Sequence, residues 1–233
     1  MDISVIGGTD HLGFGLALRF AHAGHHVTIG SRKEERGREM AEKAVGILGG
    51  GNIDGTANPE AAAVSEVVII TVPFEGLIDT YKVIGPRMPE GTVLCDTTNA
   101  IGKKARELAA GKETAPTEEA ALLVPHVRLV AAFQTVSSHA LWDIPNKLDG
   151  DVFVCGPDAS AKEAIGGLVD QMPDLRWVDI GPLSRVRTLA KMTEMLISVN
   201  RRYGISTASF KMMGKDTWGA PPPKPETEAP AAG

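Results

Sequence analysis

The stretch DISVIGGTDHLGFG, residues 2–15, runs a short β-branched segment straight into a glycine-rich turn and then into helix-forming residues. A strand that ends in glycines and hands over to a helix brings backbone N–H groups and the positive end of a helix dipole to one point. A pyrophosphate binds at such a point. Gly7, Thr9, Asp10, His11, Leu12 and Gly13 are the candidate cofactor-binding residues of this turn, with the Thr9 hydroxyl as an extra donor. The flanking strand and helix, more than the number of glycines, set it apart from an ordinary tight βα turn.

Moving outward, the next strand-like run, residues 27–30, ends at Ser31 and Arg32, with Lys33, Arg36 and Arg38 following. A protein that binds NAD usually places an acidic residue at this corner to accept the ribose hydroxyls. Here the sign is reversed, and a 2′-phosphate is the natural partner of a serine hydroxyl and a guanidinium fork. Ser31 and Arg32 therefore point to NADP(H), with Arg36 as the next candidate. Lys33, Glu34, Glu35 and Arg38 also fit a solvated outer helix face.

Short β-branched runs alternate with longer helical ones along the chain, which is the pattern of a parallel sheet covered by helices. Strands are expected at residues 3–6, 27–30, near 53, at 67–72 and 93–95, and helices at 14–23, 33–48, 59–64 and 74–84. A polar stretch, 103–119, precedes strands at 128–133, 151–155 and 176–179 and a helix at 160–171, so the sheet is expected to continue. Val186, Leu189, Met192, Met195, Leu196 and Val199 recur at helical spacing, making 184–203 an amphipathic closing helix. The fold class is α/β: a Rossmann-type, mostly parallel sheet with a small C-terminal α/β extension from about residue 126, within one NADP-binding domain of residues 1–213. The proline-rich residues 214–233 are expected to form a disordered tail. Ligands of an open α/β sheet lie across the carboxyl ends of its strands, so the nicotinamide should approach Val72 and Pro73, with Thr97 and Asn99 nearby.

A net charge of −5 over 233 residues gives no electrostatic reason to bind nucleic acid or an anionic membrane. No leader-like apolar region and no apolar run approaching about 18 residues is present, so a cytoplasmic location is expected. Cys95 and Cys155 each end an expected buried strand and read as small core residues, with no disulfide framework or metal site. The methionine- and leucine-rich final helix fits either ordinary core or the interface of a homodimer.

Several segments together resemble the NADPH-dependent reductases of the deazaflavin coenzyme F420. In the first half they are Val5-Ile6-Gly7-Gly8-Thr9, Leu12-Gly13-Phe14-Gly15-Leu16-Ala17, Ile29-Gly30-Ser31-Arg32 and Thr71-Val72-Pro73-Phe74-Glu75. In the second half they are Ala132-Phe133-Gln134-Thr135-Val136-Ser137, Asp151-Val152-Phe153-Val154-Cys155-Gly156 and Gly181-Pro182-Leu183-Ser184. The similarity extends over residues 1–213, and the second-half segments are the more selective ones. It implies hydride exchange between C4 of NADP(H) and C5 of the deazaflavin, with the two rings stacked in a cleft. In such a transfer the protein positions the rings and excludes water, so no catalytic acid–base residue is assigned. The resemblance also implies that Gln134, Thr135, Val136, Ser137 and Ser138, with Thr193 on the last helix, form the deazaflavin wall.

Bland roles compete for some of these residues. Ser137 and Ser138 also fit the cap of a short helix leading to Leu141, Ser138 about as well as it fits a ligand contact. His126 and His139 read as structural histidines, and Arg185, Arg187, Lys191, Arg201 and Arg202 as either a basic rim for the anionic coenzyme tail or a solvated stripe. Two positions depart from the family pattern: Asp10 replaces a glycine of the phosphate turn, and Gln134 stands where some members carry histidine. Asp10 either repels a pyrophosphate or turns away to cap the helix. Three readings stay open from sequence: a deazaflavin reductase, another NADP-dependent reductase of an imine, ketone or flavin, and a catalytically silent NADP sensor.

Overall fold

The computed structural model describes residues 1–102, 114–214 and 218–219. Most of the expected polar stretch and of the proline-rich tail lies outside the described residues. The chain begins β1 (Asp2–Ile6), α1 (His11–His22), β2 (His26–Ser31), α2 (Glu34–Leu48), β3 (Ile53–Ala57) and α3 (Asn58–Ala63). β4 (Val67–Ile70), α4 (Leu77–Ile84) and β5 (Val93–Asp96) follow. The second half adds α5 (Pro116–Ala121), β6 (Arg128–Ala131), α6 (Ser138–Trp142) and β7 (Gly150–Val154), then α7 (Ala159–Val169), β8 (Leu175–Asp179) and α8 (Val186–Tyr203).

Six strands pair in the order β3-β2-β1-β4-β5-β6, every pair parallel. The order of the strands reverses between β1 and β4, and a crevice opens outside their carboxyl ends at such a switch point. The last paired residues there are Ile6 and Ile70, which brings Gly7 beside Thr71 and Val72. Alternation along the buried strands serves two helix layers. Ile3, Val5 and Ile69 enter the core under α1, α2 and α7, whereas Ile6, Val68, Ile70 and Leu94 pack against α3, α4 and α5. A smaller third cluster joins Phe153, Cys155 and Val178 to Val186 and Leu189 of α8.

Several expectations change. The sheet does not continue past β6: β7 and β8 form a separate two-stranded parallel sheet, tied to β6 by the antiparallel bridge Ala131–Cys155. Fully buried strands carry the same apolar signature whichever sheet they join, and β6 stops early because the chain turns at Phe133, whose φ is +70°. α1 starts at His11, before Phe14, because Asp10 caps it. Residues 74–76 form a 3₁₀ turn ahead of α4, and α5 begins inside the stretch expected to be merely polar and runs two residues past it. Within the expected disordered tail, Trp218 and Gly219 lie along β8, where the Gly219 N–H donates to the Trp177 carbonyl at 2.9 Å. On α8, Val186, Leu189 and Leu196 are buried, but Met195 is 52% exposed, so the apolar stripe is wider than the face the core uses.

At the opposite end of the sheet from the crevice, His26 joins three strands: Nδ1 lies 2.7 Å from Asp2 and Nε2 2.8 Å from Asp54. Hydrogen bonds to Asp54 and Asp2 raise its pKa above the usual histidine value of 6.5. A raised folded-state pKa means that the stabilisation is complete below about pH 6.5 and fades as pH climbs through the raised value. Both carboxylates are exposed, so the effect is small, about 0.5–1 kcal/mol. Urea denaturation at about pH 6 and about pH 8 should show this drop in the native protein and not in His26→Gln.

Candidate active site

The glycine turn after β1 makes the floor of the crevice. Gly7 has φ +76°, and a Cβ there would lie 2.8 Å from Val72 Cγ1, so the backbone is open where a ligand must approach closely. Asp10 is the N-cap of α1, its Oδ1 accepting the Gly13 N–H at 2.8 Å. This is the capping alternative of the sequence reading, and it gives Gly13 a framing role. The first-turn N–H groups of His11 and Leu12 remain at the open end of the helix. Partial loss of water around it raises the pKa of the Asp10 carboxyl, with the Gly13 N–H and His11 opposing the shift.

A cavity of about 930 Å³ extends from this turn along the carboxyl ends of β1, β2 and β4. It gathers Gly7, Thr9, Asp10, Ser31, Arg32, Arg36, Val72 and Pro73, all expected from sequence. Ser31 is buried, its Oγ accepting the Lys33 N–H at 3.4 Å, while Arg32 is exposed at the mouth and Arg36 pairs with Glu39 at 3.0 Å. The structure adds Asn58, Glu75, Gly76 and Thr80, which sequence reasoning missed. Asn58 is buried beneath the turn and accepts the Gly7 N–H at 3.4 Å, although it lies on the far side of α2 in sequence. The side chain of His11 is not in this cavity; its ring stacks on His139 at 5.5 Å and packs against Trp142 at 5.0 Å.

A second cleft, about 330 Å³, gathers Gln134, Thr135, Val136, Ser137, Ser138 and Thr193, the whole expected acceptor wall, together with Leu196, Asn200 and Ser206. Ser137, rather than Ser138, caps α6 by accepting the Ala140 N–H, and its hydroxyl donates to the Ser206 carbonyl at 2.7 Å. Gln134 is only 3% exposed; its Nε2 donates to the Asp96 carbonyl at 2.8 Å, and among the described residues its Oε1 has no hydrogen-bond partner. A buried acceptor left without a donor is costly, and the residue that carries this one lines the cleft.

The residues after β5 join the two clefts. Thr98 Oγ1 lies 3.5 Å from the carbonyl of Val72, in the first cavity, and Asn99 Nδ2 donates to the Gln134 carbonyl, in the second, at 2.8 Å. Thr193 Oγ1 lies within donor distance of that same carbonyl, 3.0 Å, and of Asn99 Oδ1, 3.3 Å. The buried carboxylate of Asp96 holds this junction in shape by accepting the Thr98 N–H at 2.7 Å and the Tyr81 hydroxyl at 3.0 Å. Burial raises the pKa of Asp96, against the pull of the Thr98 and Tyr81 donors. Cys95 and Cys155 are buried, free thiols; burial pushes Cys155 up to about 12, which leaves it inert in neutral solution. Among the described residues no group of three or more metal-ligating side chains converges, and no helix is long and apolar enough to cross a membrane.

Known proteins resemble this chain in sequence and fold. The family model described as NADP oxidoreductase, coenzyme F420-dependent, matches residues 2–100. An F420-dependent NADP reductase of Methanocaldococcus jannaschii is 34% identical over 210 residues, covering 87% of this chain and 94% of that protein. The chain belongs to the family of F420-dependent NADP reductases. A second family member, from Methanothermobacter thermautotrophicus, is 34% identical over 220 residues, 91% of this chain and 94% of its own. Alignments of that length reach well past the nucleotide-binding half where the family model ends. A solved structure from Arthrobacter sp. FB24, provisionally named an F420-dependent NADP reductase, superimposes with a TM-score of 0.77. At 21% identity, over 92% of this chain and 100% of that one, it demonstrates the shared fold. A reductive aminase of Aspergillus terreus solved with NADPH and ethyl-5-oxohexanoate shares the fold more distantly, with a TM-score of 0.55 and 14% identity over 87% of this chain and 61% of that one.

Proposed function

We propose that this family member transfers a hydride between NADP(H) and the deazaflavin coenzyme F420, using the larger cavity for the dinucleotide and the smaller cleft for the deazaflavin. What supports this reading is one juxtaposition: a cavity with a cationic corner and a smaller cleft with an orphaned buried acceptor, hydrogen-bonded to each other through residues 98 and 99. When bound, NADPH supplies a hydride from C4 of its nicotinamide and the deazaflavin accepts it at C5. Arg32 and Ser31 then grip the 2′-phosphate, with Arg36 beside them, and the turn from Gly7 to Leu12 receives the pyrophosphate. Val72 and Pro73 supply an apolar seat for the nicotinamide, with Asn99 on the neighbouring strand end as the residue between the two rings. Gln134, Thr135, Val136, Ser137 and Thr193 orient the acceptor, the amides and hydroxyls toward its polar edge and Val136 toward its face. No side chain has to exchange a proton for the hydride to move, so the protein's contribution is position and dryness.

Asp10 places a negative charge where an anion binds. Its raised pKa means that NADPH affinity should increase as pH falls toward that value, because the anionic ligand favours the protonated carboxyl. Asn caps a helix as well as Asp does, so Asp10→Asn removes the charge and keeps the cap. At about pH 7 the variant should bind NADPH about 3- to 10-fold more tightly, read by NADPH fluorescence titration, and should lose its share of the pH dependence.

A cytoplasmic homodimer belongs to the same proposal: Met195 and Tyr203 leave one side of α8 with exposed apolar side chains, 52% and 70% accessible, suited to a second copy. Analytical ultracentrifugation checks it. The activity itself is tested by mixing the protein anaerobically with NADPH and oxidised F420 and following absorbance at the wavelength for which the coenzyme is named. The expected result is bleaching at least about tenfold faster than with NADH. Turnover confined to an imine, ketone or flavin acceptor would overturn the assignment of the second cleft.

A further inference from the structure

The acceptor wall, residues 134–137, runs directly into α6, and α6 is fastened to α1 by the one charged side chain buried along that helix. Arg19 is 3% exposed. Its Nε donates to the Leu141 carbonyl at 2.9 Å, Nη1 to Ile144 at 3.3 Å, and Nη2 faces the carbonyls of Ala140, Asp143 and Asn146 at 3.0, 2.6 and 3.2 Å. A planar guanidinium spreads its N–H groups over five carbonyls gathered at the negative end of a short helix, those around Nη2 sharing two hydrogens; the single nitrogen of a lysine ammonium cannot span them. Burial pulls the Arg19 pKa down and the Asp143 carboxylate pushes it back up, and an arginine stays charged through such shifts.

The same two helices meet at a second point. Trp142 Nε1 donates to the His11 carbonyl at 2.7 Å, its ring packs on Phe14 at 4.8 Å, and Lys43 Nζ lies 4.9 Å above it. α6 rests directly on the backbone of α1: a Cβ at Gly15 would fall 2.7 Å from Leu141 Cβ and 3.0 Å from Trp142 Cδ1. One helix therefore carries the phosphate turn at its N-terminus and the acceptor wall on its flank.

We propose that Arg19 is a positioning residue for hydride transfer, which locks residues 134–137 onto the helix that receives the NADP pyrophosphate and so sets the separation of the two rings. This rests on the function proposed above. Two variants probe it: Arg19→Lys keeps the charge and loses the fork, and Trp142→Phe keeps the aromatic contact and loses the bond to His11. Both are first checked for native melting, and Trp142→Phe decides the matter if Arg19→Lys does not fold. The expected result is an NADPH dissociation constant within about twofold of the parent, but single-turnover hydride transfer to F420 slowed about 10- to 100-fold. The deuterium isotope effect on steady-state turnover should rise as the chemical step becomes limiting. Independently of turnover, NADPH should slow hydrogen exchange at the amides of Ala140, Leu141 and Asp143 in the parent and not in Arg19→Lys. Folded variants with parental transfer rates overturn the proposal. So does a loss of NADPH affinity in step with rate, or exchange in the parent that NADPH leaves unchanged. A parent that never reduces F420 removes the proposed function instead, and the exchange measurement alone then decides the linkage.

Discussion

Replacing Arg32 by Ala should raise the KM for NADPH about 10- to 100-fold and change that for NADH by less than about threefold. The effect follows from what the side chain faces. Arg32 stands exposed at the mouth of the larger cavity, directly after the last residue of β2, and Ser31 beside it is buried with its hydroxyl at the same corner. A charge-assisted hydrogen bond to a phosphate contributes about 1.5–3 kcal/mol, which is the stated range when converted to affinity. NADH has ribose hydroxyls at this point and loses little. Arg32→Asp goes further, because it removes the phosphate's partner and supplies the acceptor that ribose hydroxyls prefer, so the preference should move toward NADH. Initial rates with both nucleotides at saturating F420 measure each case. An unchanged preference in Arg32→Ala would transfer the specificity to Arg36 or Lys33, which also line the cavity.

Gln134→Leu should raise the KM for F420 about 10- to 100-fold while the NADPH dissociation constant stays within about twofold. Gln134 is buried at the back of the smaller cleft, and its Oε1 is an acceptor without a donor among the described residues. A ligand N–H that meets this oxygen relieves a cost of about 1–3 kcal/mol, and leucine cannot receive it. Stability should change by less than about 1 kcal/mol, because the substitution leaves the Asp96 carbonyl without its Nε2 donor but also removes the orphaned Oε1. Steady-state kinetics in F420 with a parallel thermal melt separate binding from folding. If the KM does not move, Gln134 only frames the junction with Asp96 and Asn99.

The nucleotide half was legible in the sequence because its chemistry is local. The turn from Gly7 to Gly13 and the corner at Ser31 and Arg32 each lie within a few residues of a strand end, and the parallel register then brings them into one cavity. Residues that reach the site from elsewhere carried no such signal. Asn58 looks like the start of a short helix, and only the pairing of β3 with β2 brings it under Gly7. Arg19 looks like an ordinary helix cation in an apolar stretch, and its partners lie more than a hundred residues away. The acceptor residues followed from resemblance rather than from pattern, since a run such as Gln134 to Ser137 has no periodicity to read. The separate β7–β8 sheet was hidden for a related reason: burial on both faces gives the same apolar run in either sheet.

Hydride is expected to pass directly from one bound ring to the other between the two clefts. Mixing NADPH deuterated at C4, in each stereoisomer separately, with oxidised F420 and the protein, then analysing the reduced coenzyme by mass spectrometry, tests it most directly. One stereoisomer should deliver its deuterium to the deazaflavin without loss to water, and the other should deliver hydrogen. Deuterium lost to solvent, equal transfer from both stereoisomers, or no reduced coenzyme at all would rule out direct transfer between the two rings.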